Sequence, residues 1–323
     1  MGLITKIKTK FTINKSKNKK EMIDKIVQTI FLMSTILSAS FIIVIIIFIS
    51  LRGVIPFITD NNGLGSVNIF SFLTGNVWLT GTTFQSNLYS VGFIIINTIF
   101  IAFLALLLAM PVGVLTALFI AKIAPKTLSE FLRTVVELLA SIPSIVYGLF
   151  GSGIILVFVY NLAELFGVQS KGGNSVLATV IVLALMTLPT ITAMSEVSIR
   201  SVGKDIEHGS LALGATKTQT NFKMILTSAK SGIFASAILG IGRALGEATA
   251  ISLVAGNSKS GPSLGMFDIT STLTSTMLEG LKETVGLDYD IRFSVGLVLM
   301  VVILLTNLIL NYIKKKVGNV DVK

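Results

Sequence analysis

The chain has 323 residues, of which 52% are apolar and only 13% are charged. Because an average soluble domain is about 25% charged, this composition argues against a globular cytosolic enzyme. The net charge of +10 is compatible with nucleic-acid binding, but its distribution along the chain indicates a membrane topology and no nucleic-acid partner.

Long segments without charge recur along the chain, and each is long enough to cross a membrane as a helix. A helix needs about 20 apolar residues to cross the hydrocarbon core, where its backbone must form all of its own hydrogen bonds. The short alternating segments of a membrane barrel are not seen. The sequence therefore predicts an all-α polytopic membrane protein with about six transmembrane helices, at residues 30–51, 91–121, 138–160, 175–195, 233–255 and 293–313.

The basic residues are divided unevenly between the two sets of connecting segments. Twenty of the 26 lie in the N-terminal tail, in the segments after the second and fourth spans, and in the C-terminal tail. Because Lys and Arg are enriched on the cytoplasmic side, both termini are expected inside, as an even number of spans also requires. Residues 1–28 are interpreted as a solvated basic tail near anionic lipid headgroups, and residues 29–323 as the transmembrane domain.

Two segments on the predicted outer side contain features of interest. Phe70, Phe72 and Trp78 are candidates for aromatic anchors at the membrane interface or for plain packing residues. Residues 270–283 could form a short helix lying over the outer mouth of the bundle.

The segment after the fourth span, residues 204–228, is amphipathic and too polar to cross a membrane. Gly214 and Ala215 divide it into two short helices. It resembles the EAA loop of ABC importer permeases, which reads Glu-Ala-Ala, three residues, Gly, nine residues and Ile-x-Leu-Pro. Residues 211–215 and Leu226 carry the resemblance, whereas His208 occupies the usual glutamate position and Glu207 precedes it.

The resemblance implies that this loop docks into an ATPase subunit and transmits its closure to the spans. The residues implied in this coupling role are Glu207, His208, Gly209, Ser210, Leu211, Ala212, Leu213, Gly214 and Ala215. It leaves open whether a carboxylate contact with the ATPase comes from the His208 position or from Glu207.

The same loop contains a partial match to a phosphate-binding loop. Gly209 and Gly214 have the spacing of that motif, but Ala215 replaces its essential lysine and no strand precedes it. ATP and Mg²⁺ are therefore expected on a partner ATPase, with no cofactor on this chain. His208 is the only histidine and there is no cysteine, so no metal site is expected either.

Arg243 and Glu247 are charged residues inside the predicted fifth span. Their spacing of four places both side chains on one face of a helix, within reach of each other. A charge at the membrane centre costs roughly 2.5–3.5 kcal/mol on insertion scales, and such groups usually face the bundle interior or a water-filled path. Two interpretations remain open, a charged element of the translocation pathway and a structural clamp between helices.

The residues around this pair carry a closer resemblance. Residues 240–247 with 254–257, residues 137–148 and residues 267–274 are similar to the PstC-type permease subunit of phosphate ABC importers. The resemblance implies a MetI-like permease bundle in a bacterial plasma membrane that imports inorganic phosphate. It also implies a PstA-type second permease, a PstB-type ATPase dimer and an extracellular PstS-type phosphate-binding protein.

Two alternatives to phosphate import remain. A permease for another oxyanion, such as sulfate or molybdate, would have the same loop and spans. A secondary transporter or channel would work without an ATPase. Secondary transporters usually show repeat symmetry and intramembrane carboxylates or broken helices, whereas this sequence shows an EAA-like loop. An enzyme has little support, because no cluster of catalytic residue types falls within the spans.

Overall fold

The computed structural model of the chain describes residues 2–61, 65–80 and 88–318. Within these residues the regular structure is helical, and β contacts are limited to isolated bridges. Six helices of the described part of the chain are long and apolar enough to cross a membrane, which confirms the predicted all-α class and number of spans. They are Met22–Ile58, Gly92–Ile123, Ser144–Leu165, Val176–Arg200, Lys217–Gly246 and Leu287–Lys316, numbered here as spans 1 to 6.

The chain divides into two compact units, residues Met1–Arg52 and Gly53–Lys323. The first unit lies within a single long helix, α1 (Gly2–Ile58). The residues expected to be a separate basic tail therefore continue the helix of span 1. No proline interrupts residues 3–55 and many of them are good helix formers, so the local sequence gives the helix no reason to stop.

The second unit is built around three spans that pack closely. They contain α3 (Gly92–Leu118), α7 (Val176–Arg200) and α10 (Leu226–Gly246), and α7 is the most buried of them. Small residues allow the close approach: a Cβ atom added at Gly113 would lie 2.9 Å from Cγ2 of Ile191 on α7. The Gly113 position thus reflects helix packing.

Three spans contain a π-helical turn, a local widening that inserts one residue into the hydrogen-bond ladder. Span 2 ends in the turn Phe119–Ile123. Span 3 consists of α5 (Ser144–Phe150), the turn Gly151–Ile155 and α6 (Leu156–Leu165), listed here in chain order. Span 5 begins with α9 (Lys217–Gln219) and the turn Thr220–Ile225, which lead into α10.

Several predicted span boundaries differ from the structure, as at the start of span 5, which is Lys217 where residue 233 was expected; two of them reflect a break in a helix. The third span was expected from residue 138, but α4 (Lys126–Ser141) is a separate amphipathic helix with Ile142 as its C-cap. Pro143 explains this end, because proline disfavours helical geometry in the residue before it. The fifth span was expected to reach residue 255, but α10 ends at Gly246 and a short helix, α11 (Thr249–Val254), follows a break.

The second unit has two ends. The loop end contains α4 and α8 (Lys204–Ala212), and the far end contains α2 (Ile69–Thr74) and α12 (Leu273–Leu278). The short helix expected within residues 270–283 is α12, which begins with a capping box formed by Thr272 and Ser275. The last helix, α13 (Leu287–Gly318), contains span 6.

The aromatic residues of the far end have different environments. Phe72 and Trp78 are only 1% and 2% exposed and belong to a buried cluster, whereas Phe70 is 75% exposed. Of the three candidate interface anchors, two are therefore packing residues. Tyr89 donates a hydrogen bond to Asp288 at the start of α13. Burial and this carboxylate raise the pKa of Tyr89 well above its usual range.

The close approach of α3 and α7 leads to a stability prediction. Gly113→Ala should destabilise the bundle by about 1–3 kcal/mol, because the added methyl group would overlap buried Ile191. Gly153→Ala is the matched control, since no atom lies within 4 Å of the position its Cβ would take. Thermal unfolding in detergent checks both variants, and equal unfolding temperatures for the two would contradict the packing argument.

Candidate functional site

Glu247 lies in the break between the end of span 5 and α11, and it accepts hydrogen bonds from α11 and α12. Its backbone is extended (φ −78°, ψ 125°) after the last turn of α10. One carboxylate oxygen accepts hydrogen bonds from the Ala250 amide (3.0 Å) and the Thr249 hydroxyl (2.8 Å). Its carbonyl accepts one from the Thr274 hydroxyl on α12 (2.5 Å). Glu247 therefore starts α11 by pairing amide and hydroxyl donors that the break leaves open.

Arg243 lies one turn earlier, in the last part of α10, and is half-buried. Its Nη1 atom donates a hydrogen bond of 2.7 Å to the Thr190 hydroxyl on α7. Among the described residues Arg243 has no salt bridge, so the predicted contact between Arg243 and Glu247 is not formed. The reason is the end of α10 at Gly246, because spacing by four brings side chains together only within a continuous helix.

Four hydroxyl residues of this site were not found from the sequence. Thr190 holds Arg243, and Thr274 reaches Glu247 from a segment 27 residues away. Ser144 at the start of span 3 shares a hydrogen bond of 2.9 Å with Thr249. In the sequence, Thr190 and Ser144 each directly follow a proline. This position marks them as unusual, but it does not predict which residues they contact.

An apolar groove of about 350 Å³ adjoins this polar cluster, because its wall includes Pro189, next to Thr190. The groove lies between the start of span 3 and the middle of α7. It is lined by Leu139, Ile142, Val146, Tyr147, Phe150, Leu185, Leu188 and Pro189. Thr190, which binds Arg243, thus follows a residue of the groove wall in the chain.

The loop with EAA-like sequence forms two helices, α8 and α9, joined by a tight turn. Gly214 has a φ of +86°, a backbone geometry that favours glycine. The hydroxyls of Ser210 and Thr220 share a buried hydrogen bond of 2.9 Å, which holds α8 against the π-helical turn after α9. Leu213, at the turn, is 91% exposed.

The remaining residues of this loop face different surroundings. Glu207 Oε2 lies 2.6 Å from Nζ of Lys122, in the π-helical turn that ends span 2. The carboxylate before the usual glutamate position is therefore bonded within the chain. The exposed residues are His208, Gly209, Leu211, Ala212, Leu213 and Gly214, while Ala215 is half-buried.

A second polar network lies at the loop end. Arg200 at the end of α7 forms a salt bridge of 2.7 Å with Glu196, whose side chain is only 5% exposed. Arg200 Nη2 also donates to the Ser129 hydroxyl on α4 at 2.9 Å and to the Ile120 carbonyl at 3.3 Å. Spans 2 and 4 and helix α4 are thereby connected around one guanidinium group.

The sequence matches a protein-family model and several named relatives. The model described as "Binding-protein-dependent transport system inner membrane component" matches residues 109–319. The probable ABC transporter permease protein YqgH of Bacillus subtilis is 34% identical, covering 85% of each chain. The phosphate transport system permease protein PstC of Pasteurella multocida is 30% identical, covering 77% of this chain and 82% of the relative.

Solved structures with low sequence identity share the fold. A chain of the bacterial alginate ABC transporter matches with a TM-score of 0.52 at 18% identity, covering 70% of this chain and 79% of that chain. A chain of the MetNI methionine ABC transporter in an inward-facing conformation matches with a TM-score of 0.50 at 19% identity, covering 70% and 94%. The protein is thus a multi-pass membrane subunit for transport, not an enzyme, and it belongs to the family of binding-protein-dependent transport system inner membrane components.

Proposed function

We propose that this chain is one of two permease subunits of an ATP-driven importer that carries inorganic phosphate into a bacterial cell. The observation that carries this proposal is the state of Arg243, an intramembrane cation bonded to a neutral hydroxyl instead of a carboxylate. The relatives named as phosphate permeases support the choice of substrate.

Arg243 is suited to meet an anion during transport. A guanidinium group has five N–H donors, and the described contacts of Arg243 use one of its nitrogens, for Thr190. The other donors can bind an oxyanion with two parallel hydrogen bonds, the geometry that arginine favours for phosphate and carboxylate groups. The bond to Thr190 joins α10 to α7, but it leaves the charge of Arg243 without a carboxylate partner among the described residues. The structure therefore favours the pathway interpretation of Arg243.

Glu247 contributes to the same pathway by fixing the break after span 5. Its carboxylate is bonded to the start of α11, and its carbonyl is bonded to α12. The negative charge is thereby kept in place on its own helix, separate from the Arg243 guanidinium. We assign Glu247 the role of holding the backbone geometry that presents Arg243.

The geometry of Arg243 suits tetrahedral oxyanions in general. A permease for sulfate or molybdate is therefore the second candidate, and it differs from the first in the selectivity of its binding protein. Membership of a binding-protein-dependent family weighs against a secondary transporter or a channel.

The proposed complex contains a PstA-type permease, a PstB-type ATPase dimer and a PstS-type binding protein. The exposed turn at Leu213 and the other exposed residues of the segment 207–215 fit the role of the surface that docks the ATPase. ATP and Mg²⁺ belong to that partner, and this chain needs no cofactor or metal. We assign both termini to the cytoplasm, because most basic residues lie in the two tails and in the segments on the same side of the membrane as the tails.

Substitution of Arg243 tests the transport role. Arg243→Gln should lower uptake of labelled phosphate by about 100-fold, the scale of losing one preorganised charged contact in a water-poor site. Uptake is measured in cells that lack the native chain, with sulfate as competitor. Arg133→Gln is the matched control, because Arg133 is exposed and its ion pair among the described residues is with Glu137 on its own helix.

The amount of assembled protein decides between the two interpretations of Arg243. The pathway role predicts normal assembly of the Arg243→Gln variant with little uptake. Loss of the assembled protein would favour the clamp. Normal phosphate uptake in cells without the chain would remove the substrate assignment, and strong competition by sulfate would favour the second candidate.

Site-directed crosslinking tests the docking surface. The chain has no cysteine, so Ala212→Cys or Ala215→Cys gives a single thiol in the turn region. Either thiol should crosslink to the ATPase subunit. Val285→Cys is the control, because Val285 is 85% exposed but lies at the far end. Crosslinks from position 285 alone would contradict both the docking surface and the proposed orientation.

A further inference from the structure

A cavity of about 360 Å³ lies beneath helix α8 at the loop end. Its lining joins the end of span 2, the end of span 4 and the first turns of α8. We call it the α8 cavity; it is lined by Ala121, Lys122, Arg200, Val202, Lys204, Glu207 and His208. Three of these seven residues are cations, one is the histidine of the chain and one is a carboxylate.

Two of the cations keep unused hydrogen-bond donors. Lys122 has three N–H donors, and its described contact is with Glu207. Arg200 uses Nε for Glu196 and Nη2 for Ser129 and a carbonyl, which leaves Nη1 without a partner among the described residues. These two groups are held in place by their existing bonds, so an additional ligand would meet prearranged donors.

The remaining basic groups come from α8 itself. Lys204 and His208 are exposed, and neither has a described side-chain hydrogen bond. The N-cap residue Gly203 provides no side-chain cap, so the free amides of the first turn add positive potential. The Asp205 carboxylate lies close to Gly203 and offsets part of this potential.

The general excess of basic residues at this end does not account for the cavity. Lys217 and Lys223 lie in the same loop region, but they do not line it. Within the lining, the carboxylate of Glu207 opposes three cations, and Glu196 lies behind Arg200. Together with Asp205 these carboxylates equal the three cations in number, so an anion with several acceptor oxygens would be held by the free N–H donors and would have to replace a carboxylate.

We propose that the α8 cavity binds a phosphate-type oxyanion, which competes with Glu207 for Lys122. The ligand is either free inorganic phosphate or the phosphate of an anionic lipid headgroup. Because Glu207 belongs to α8, an occupied cavity weakens the attachment of this helix to span 2. An effect of this weakening on the ATPase rests on the proposed docking role of α8. Binding of the anion itself does not depend on transport.

Protection of a single thiol tests the binding. Ala121→Cys places a thiol in the cavity wall of the otherwise cysteine-free chain, which is placed in nanodiscs of pure phosphatidylcholine. Inorganic phosphate should slow alkylation by a neutral maleimide. Adding Lys204→Gln should raise the half-protecting phosphate concentration about tenfold, the loss expected for one hydrogen bond to a charged group. His208→Gln is a second variant that should shift it in the same direction.

Two matched controls separate the cavity from general surface effects. Lys217→Gln removes an equally exposed lysine from outside the cavity and should leave the protection unchanged. A thiol made by Ser228→Cys lies in a neighbouring cavity without cations and should not be protected. Equal protection at both thiols, or no effect of Lys204→Gln and His208→Gln in folded protein, would overturn the proposal.

Nanodiscs that contain phosphatidylglycerol identify the source of the anion. Protection without added phosphate in these discs assigns the cavity to a lipid headgroup, whereas protection by added phosphate in neutral discs assigns it to the free ion. Absence of protection in both overturns the proposal. The measurement needs no transport, so failure of phosphate uptake would refute the proposed function and leave this result standing.

Discussion

The structure of this permease depends on one requirement, that backbone polar groups inside a membrane find partners within the protein. The chain meets this requirement after span 5 with a break between α10 and α11, and Glu247 makes the break possible. Its carboxylate bonds the first donors of α11, and its carbonyl receives the hydroxyl of Thr274 from α12. With Glu247 used in this way, Arg243 is left with a neutral partner on α7. Arg243 therefore keeps free N–H donors because Glu247 is used for the hydrogen bonds at the break.

At the loop end, as at the break after α10, polar contacts join separate helices. The salt bridge between Lys122 and Glu207 joins α8 to span 2, and the buried hydroxyl pair Ser210 and Thr220 joins α8 to the start of span 5. Short polar contacts therefore tie α8 to two spans, as the proposed coupling role requires. The exposed turn at Leu213 lies at the free end of this connected region, where a partner subunit can reach it.

The sequence was sufficient for those features that depend on local composition. Apolar length located six spans, and Gly214 marked the turn between the two loop helices. It was insufficient where distant residues decide the outcome: the contact of Arg243 with Glu247 was predicted from helix spacing, but Thr274 and the start of α11 take up Glu247 instead. Phe72 and Trp78 were similarly ambiguous, because burial of an aromatic residue depends on segments far along the chain. The start of span 3 was predictable from Pro143, whose effect on Ile142 is local.

The central claim is that Arg243 and Glu247 act separately, one as a cation open to the transported anion and the other as a backbone support. The most direct test exchanges the two charges in one chain, Arg243→Glu with Glu247→Arg, and measures uptake of labelled phosphate alongside the amount of assembled protein. The account predicts that the exchange does not restore uptake, because neither residue depends on the other's charge for its contacts. Uptake restored well above that of either single variant would show that the two residues work as an ion pair and would contradict the account.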